Sequence, residues 1–302
     1  MRLGPSGAGG VRNRDRMSAD GRCNGTDVTL VGRPMRIHFI SGLPRSGSTL
    51  LEGILRQNPK FHAVMSGPLP DLLCSLIRSM SHANETSLFI TDTQRRRILR
   101  SLFEAYYADV AADKIIFDTG RAWCGLLPAL VEMFPDARVV CCLRNPAWIL
   151  DSIERHVQRN AFLTQRMFGF DSRGNIYTRV EALTGKDGFV KRSLAALRQA
   201  WFGEMADRLI AVRYESLTGN PEDTIGRIYD ALGEPRYAHD FTSVEYDEPQ
   251  FDFNMGLPGF HTVSGPVRVN TRKSILPPDI FRQHDECFWN KPDQNPRGVL
   301  IL

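Results

Sequence analysis

Apolar positions along the chain fall into two patterns, short continuous runs and longer stretches with helical spacing. Arg36-Ile37-His38-Phe39-Ile40 is a short apolar run closed by Ser41-Gly42, which predicts a buried strand. Helical spacing follows from Gly47 to about Gln57, with Leu50, Leu51, Ile54 and Leu55 on one face, until Asn58-Pro59 stops it. Helical patterns return over about 69–80 and 92–112. A second strand, Lys114-Ile115-Ile116-Phe117, is closed by Asp118-Thr119-Gly120, and a helix over about 121–133 ends at Phe134-Pro135-Asp136. A third strand covers 138–143 and gives way at Arg144-Asn145-Pro146 to a helix reaching about Arg159. A helix from about Asp187 to Met205 precedes a fourth strand, 209–212, and a helix runs from Pro221 to Leu232. Strands alternating with helices predict an α/β fold, a three-layer sandwich with a central parallel sheet and helices on both faces. Ligands of such sheets sit beyond the carboxyl ends of the strands.

The flanks lack this periodicity. Residues 1–34 are rich in Gly, Arg, Ser and Asp and are expected to be a disordered extension. The body, 35–302, reads as one domain in which 160–186 is an insertion and 236–302 a loop-rich tail. These two segments, with 66–80, are expected to form the acceptor cleft, through Tyr246, Phe251, Phe253 and Phe260 interleaved with Asp247, Glu248 and Asp252.

Composition narrows the function classes. A chain of 302 residues, 42% hydrophobic and 24% charged, is ordinary globular material. The net charge of +4 is concentrated in 1–34, where six arginines face three aspartates, so the body is close to neutral and carries no nucleic-acid footprint. The six cysteines have no metal-ligand spacing and read as reduced core thiols. No apolar run reaches the roughly 20 residues of a membrane span, and no secretion signal is expected, so the sequence predicts a cytoplasmic protein.

Chemistry gathers at the ends of the strands. Gly42-Leu43-Pro44-Arg45-Ser46-Gly47-Ser48-Thr49 has the spacing of a phosphate-binding loop between strand and helix. Nucleoside-triphosphatases place Lys and then Ser or Thr after the second glycine. Here Ser48 stands at the lysine position, and the cation is Arg45 inside the loop, a guanidinium able to grip an oxyanion bidentately without a metal. At the end of the third strand, Arg144 and, eight residues on, Ser152 form a candidate second anion site.

Together, Pro44-Arg45-Ser46-Gly47-Ser48-Thr49 and Arg144…Ser152 resemble the two signatures by which sulfotransferases bind 3′-phosphoadenosine 5′-phosphosulfate (PAPS). The wording is closest to the tyrosylprotein and bacterial branches, and Val212-Arg213-Tyr214-Glu215-Ser216-Leu217 resembles a further family segment. The resemblance covers roughly 35–235 and implies a P-loop-like fold and sulfuryl transfer from PAPS, as co-substrate and without a metal, to a hydroxyl-bearing acceptor. It implies that Arg45, Ser46, Gly47, Ser48 and Thr49 hold the 5′-phosphosulfate, that Arg144 and Ser152 hold the 3′-phosphate and that Tyr214 lines the adenine pocket. Arg272 and Lys273 are candidates for a further donor contact. Arg45, the loop amides and Thr49 are also expected to stabilise charge on the departing phosphate.

The tyrosylprotein branch has a catalytic glutamate shortly after its first helix. The corresponding Phe61-His62-Ala63-Val64-Met65-Ser66-Gly67-Pro68 holds no carboxylate, so the base is not inherited. Asp118, at the tip of the second strand, is the first candidate, and His62 the second. Arg121 is expected either to steer the sulfonate or to pair with Asp118. Two other readings stay open: a P-loop kinase or other nucleoside-triphosphate enzyme, with Asp118 as the magnesium-holding acid, and an inactive nucleotide-binding module.

Overall fold

The structure is a computed structural model that describes residues 35–302, apart from 66, 164–167 and 169–173. The extension over 1–34 and part of the 160–186 insertion lie outside the described residues.

Six strands form one sheet: β1 (Arg36–Gly42), β2 (Phe61–Val64), β3 (Ile115–Thr119), β4 (Val139–Leu143), β5 (Leu209–Arg213) and β6 (Leu300–Ile301). Their order is β2-β3-β1-β4-β5-β6, and every pairing is parallel. The two-residue period of a strand sends alternate side chains into two separate cores. Ile37 and Phe39 of β1, Ile116 of β3, Cys141 and Leu143 of β4 and Ala211 of β5 enter one core. Ile40, Ile115 and Phe117, Val140 and Cys142, and Ile210 and Val212 enter the other.

Helices cover both faces. α2 (Leu69–Ser79), α3 (Asp92–Tyr106), α4 (Leu127–Met133), α5 (Pro146–Arg159) and α7 (Phe189–Phe202) pack into the first core with α6 (Ile176–Thr184). α1 (Ser48–Leu55), α8 (Tyr214–Gly219) and α9 (Pro221–Leu232) supply the second. Local chemistry explains the boundaries. α5 opens on Pro146 with the Asn145 side chain accepting from the Ala147 N–H at 2.9 Å. α9 opens on Pro221 and stops at Gly233, whose φ of 71° suits glycine.

The three-layer α/β sandwich is therefore as the periodicity predicts, with local differences. β2 and β6 are strands beyond the four expected. His62 accordingly lies on β2, the first strand after α1 (Ser48–Leu55). α3 ends at Tyr106, short of 112, and 160–186 contains α6. The tail also holds α10 (Pro249–Met255) and α11 (Pro278–His284).

One side chain sits against this order. Glu52 of α1 is fully buried, and neither carboxylate oxygen has a hydrogen-bond partner at bonding distance. Burial lifts its pKa from 4.5 to about 7; the Thr119 and Tyr246 hydroxyls come near enough to oppose that rise, without closing a bond. Between about pH 4.5 and 7 the folded chain holds a proton that the unfolded chain has released, so stability falls as pH rises through this window. Glu52→Gln removes the ionisation. It is expected to stabilise the fold by up to about 3 kcal/mol near pH 8 and by almost nothing near pH 4, measured by denaturant unfolding at both. Equal effects at the two pH values would refute the assignment.

Candidate active site

The carboxyl end of β1 turns through residues 42–47 into α1. Gly42, Arg45 and Gly47 all have left-handed backbone, with φ of 122°, 57° and 101°. A Cβ on Gly42 would stand 2.2 Å from the Cys142 carbonyl oxygen, so only glycine lets β1 end this close to β4. Arg45 is the one non-glycine among the described residues with positive φ. That conformation costs an L-residue about 1–2 kcal/mol, and such strain collects at functional sites. The Leu43 N–H donates to the Cys142 carbonyl at 3.1 Å, and the Ser46 hydroxyl donates back to the Leu43 carbonyl, closing the loop from inside. α1 begins without a side-chain cap, so its first-turn N–H groups remain available at the cavity edge.

The loop faces a cavity of about 360 Å³. The other walls are Thr119 at the end of β3, Gly120 and Arg121 after it, Arg144 after β4, Tyr214 and Thr218 of α8, and tail residues 260–268 with Asn270. Arg45, Gly47, Ser48, Thr49, Arg144 and Tyr214 are thus brought together. The Ser46 and Ser152 side chains are not on the wall. Ser46 is bonded within the loop, and Ser152 accepts from Arg45 Nε at 3.2 Å.

Arg45 binds only neutral groups. Besides Ser152, its guanidinium donates to the Phe260 carbonyl and to His156 Nε2 at 3.1 Å, and stacks 4.4 Å from the Phe260 ring centroid. Burial first, and Arg144 second, hold its pKa down at about 10. Burial and Arg45 likewise depress His156 to about 3, so that imidazole is neutral and serves as an acceptor. Arg144 Nη1 donates to the Arg45 carbonyl at 3.0 Å, its guanidinium lies 3.9 Å from the Tyr214 ring centroid, and its Nε is buried without a partner.

Arg272 reaches the same region from the tail. It pairs with the buried Asp151 at 2.7 Å and leaves its own Nε without an acceptor. Asp151 also accepts from Arg155 at 3.0 Å and from the Ile275 N–H at 2.8 Å, which stitches the tail to α5 and lowers the Asp151 pKa against burial. Lys273 is exposed, and only its carbonyl is engaged, by Arg155.

The two bases expected from sequence stand elsewhere. Asp118 is fully buried. Its carboxylate accepts from Trp123 Nε1 at 2.8 Å and from the Tyr107 hydroxyl, and burial raises its pKa to about 6. Both oxygens hold core side chains together, and neither faces the cavity. His62 packs edge-on to Tyr107 on β2, also away from the wall. Nor does Arg121 pair with Asp118: its guanidinium lies 4.1 Å from the Phe189 ring centroid.

A group that sequence reasoning missed occupies the wall instead. His261 lines the cavity, and its Nδ1 meets Oδ1 of the fully buried Asp252 at 2.5 Å. The His261 N–H donates to the other carboxylate oxygen at 2.7 Å. Burial lowers the His261 pKa while Asp252 opposes it. A carboxylate on Nδ1 fixes the tautomer that leaves Nε2 as a proton acceptor. The nine-residue spacing lies in a loop-rich stretch and carries no periodic signal.

A profile of the sulfotransferase family matches residues 38–239. Nodulation protein NoeE of Sinorhizobium fredii (strain NBRC 101917 / NGR234) is 28% identical over 232 residues, 70% of this chain and 53% of that protein. The chain thus spans about half the length of the curated relative it matches. The sulfotransferase domain from the curacin biosynthetic pathway is 15% identical, with a TM-score of 0.46 over 68% of this chain and 75% of that one. A sulfotransferase from Alicyclobacillus acidocaldarius is 14% identical, with a TM-score of 0.45 over 73% and 89%. The profile match covers about two thirds of the sequence, and the chain belongs to the sulfotransferase family.

Proposed function

We propose that the protein transfers a sulfuryl group from PAPS to a hydroxyl-bearing acceptor in a cytoplasmic setting, which suits its five free thiols among the described residues. One observation carries the reading. Arg144 is tied to the backbone of the phosphate-type loop at Arg45 yet keeps a buried Nε without a partner. This supports a second anion site adjoining the first, as a nucleotide phosphorylated at both 3′ and 5′ requires. The orphaned Nε of Arg144, a residue of the cavity wall, fits such a group, since a phosphate oxygen would satisfy it.

In this reading the first-turn amides of α1, Ser48 and Thr49 hold the 5′ end beside Gly47. Ser46 acts by closing the loop. Arg45 supplies positive charge next to the departing phosphate, and Ser152 anchors it there. Arg144, backed by Arg272, holds the 3′-phosphate, with Tyr214 as the wall beside it. PAPS supplies a sulfur whose bond to the bridging phosphate oxygen breaks, with its electron pair, as the acceptor oxygen bonds to sulfur. His261 Nε2 takes the acceptor's hydroxyl proton, and Asp252 holds the ring and stabilises the charge it gains. Asp118 and His62 have no part in proton transfer.

The donor reading is tested by calorimetry in EDTA. Adenosine 3′,5′-bisphosphate is expected to bind at least about tenfold tighter than AMP, or about 1.4 kcal/mol, and Arg144→Ala to bring the two within about threefold. Equal binding in the unaltered protein, or binding that requires magnesium and a triphosphate, would overturn it. The base is tested by turnover of radiolabelled PAPS over a panel of phenols and alcohols. His261→Ala is expected to lower kcat by about 10²–10⁴ and leave bisphosphate affinity within about twofold. The unaltered enzyme should lose activity as pH falls below the depressed His261 pKa, and His261→Ala should lack that acidic limb. Undiminished kcat in the variant would remove His261 from the mechanism.

A further inference from the structure

A second cavity, of about 580 Å³, adjoins the first and shares Gly120 and Arg121 with it. Most of its wall is apolar: Pro70 of α2, Ala122 and Leu126 after β3, Phe189 and Ala196 of α7, and Phe251 of α10. Two arginines interrupt that surface. Arg121 is half-buried at the junction of the cavities, and Arg192 stands one helical turn after Phe189 on the same face of α7.

Neither guanidinium has a hydrogen bond or ion pair among the described residues. Arg121 makes only its contact with the Phe189 ring. Asp71, an exposed carboxylate on the same wall, pairs with neither. Both cations line this one cavity. After burial, Arg192 is the charge that holds the Arg121 pKa down at about 10. A half-buried guanidinium with a like charge for its neighbour lacks its natural counterpart, a planar oxyanion. Against the apolar wall that counterpart is worth more than it would be in bulk solvent.

We infer that Arg121 and Arg192 form an acceptor subsite for an anionic oxygen group, so that the acceptor is a hydroxylated organic acid with an apolar or aromatic body. The apolar walls take the body, the arginines take the acid group, and the hydroxyl faces the first cavity across Gly120. The inference rests on the sulfuryl-transfer reading for the identity of the hydroxyl, but the anion subsite can be measured independently of it.

The test is titration of three matched phenols into the full chain, with and without saturating adenosine 3′,5′-bisphosphate. The probes are 3-(4-hydroxyphenyl)propionate, its amide, and tyramine. The carboxylate is expected to bind at least about tenfold tighter than the amide, and tyramine weakest. Arg192→Gln, a change at an exposed position that spares the first cavity, should cut the carboxylate preference to within about threefold and leave bisphosphate affinity unchanged. Arg121→Gln should do the same to the preference. A phosphate-ester analogue of the phenol, run alongside, tells whether the pair favours carboxylate or phosphate. No preference for the anion, a preference that survives Arg192→Gln, or no detectable binding of any probe at about 10 mM overturns the inference. Loss of bisphosphate binding with the preference intact would instead sink the donor reading alone.

Discussion

The site depends on the approach of Gly42 to the Cys142 carbonyl. β1 and β4 are parallel neighbours in register at Gly42 and Cys142, and no side chain fits between them at that point. The chain leaving β1 and the chain leaving β4 therefore diverge from nearly one spot. That is why Arg144 can donate to the carbonyl of Arg45, 99 residues earlier in sequence. A single methyl group on Gly42 would push the strands apart and separate the loop from Arg144.

The convergence creates an electrostatic problem that the protein leaves partly unsolved. Arg45, Arg144 and Arg272 each lower the pKa of at least one of the others, or of His156, and among the described residues only Arg272 of the three has a carboxylate partner. A structural cluster would bring in acids. Here Arg45 is spread over a serine, a carbonyl and a neutral histidine, none of which cancels its charge. The result is excess positive charge around the first cavity, which suits the anion proposed for it. It follows from the placement of three side chains, since the body of the chain is nearly neutral.

The sheet was legible wherever several apolar residues ran together, as in β1, β3, β4 and β5. Pro146 and Pro221 fixed two helix starts for reasons visible in the sequence. β2 was not legible because four residues, alternately buried and half-buried, are too few to carry a period. β6 has two residues and exists only because β5 offers it an edge. The site divided along the same line. The loop and Arg144 announce themselves by position after a strand. Asp118 has that position too, yet Tyr107 and Trp123 claim both its oxygens, and those contacts belong to tertiary packing. Asp252 and His261 meet through a turn in the tail that no local pattern foretells.

This division bears on how the protein separates its tasks. The family match ends at residue 239, so the donor loop, Arg144 and Tyr214 lie inside it. His261, Asp252, Arg272 and the tail wall of the first cavity lie beyond it. The tail is anchored to the body at several points: the Leu302 N–H donates to the Ala211 carbonyl of β5, Trp201 Nε1 to the Gln294 carbonyl, Arg45 to the Phe260 carbonyl and the Ile275 N–H to Asp151. The loop over 42–47 takes its shape from the approach of β1 to β4. In the proposed reading those strands constrain the phosphate-holding side, and the tail walls the acceptor side. Arg121 stands where the two sides meet, on the wall of both cavities. A change there alters both at once, whereas Arg192 alters one.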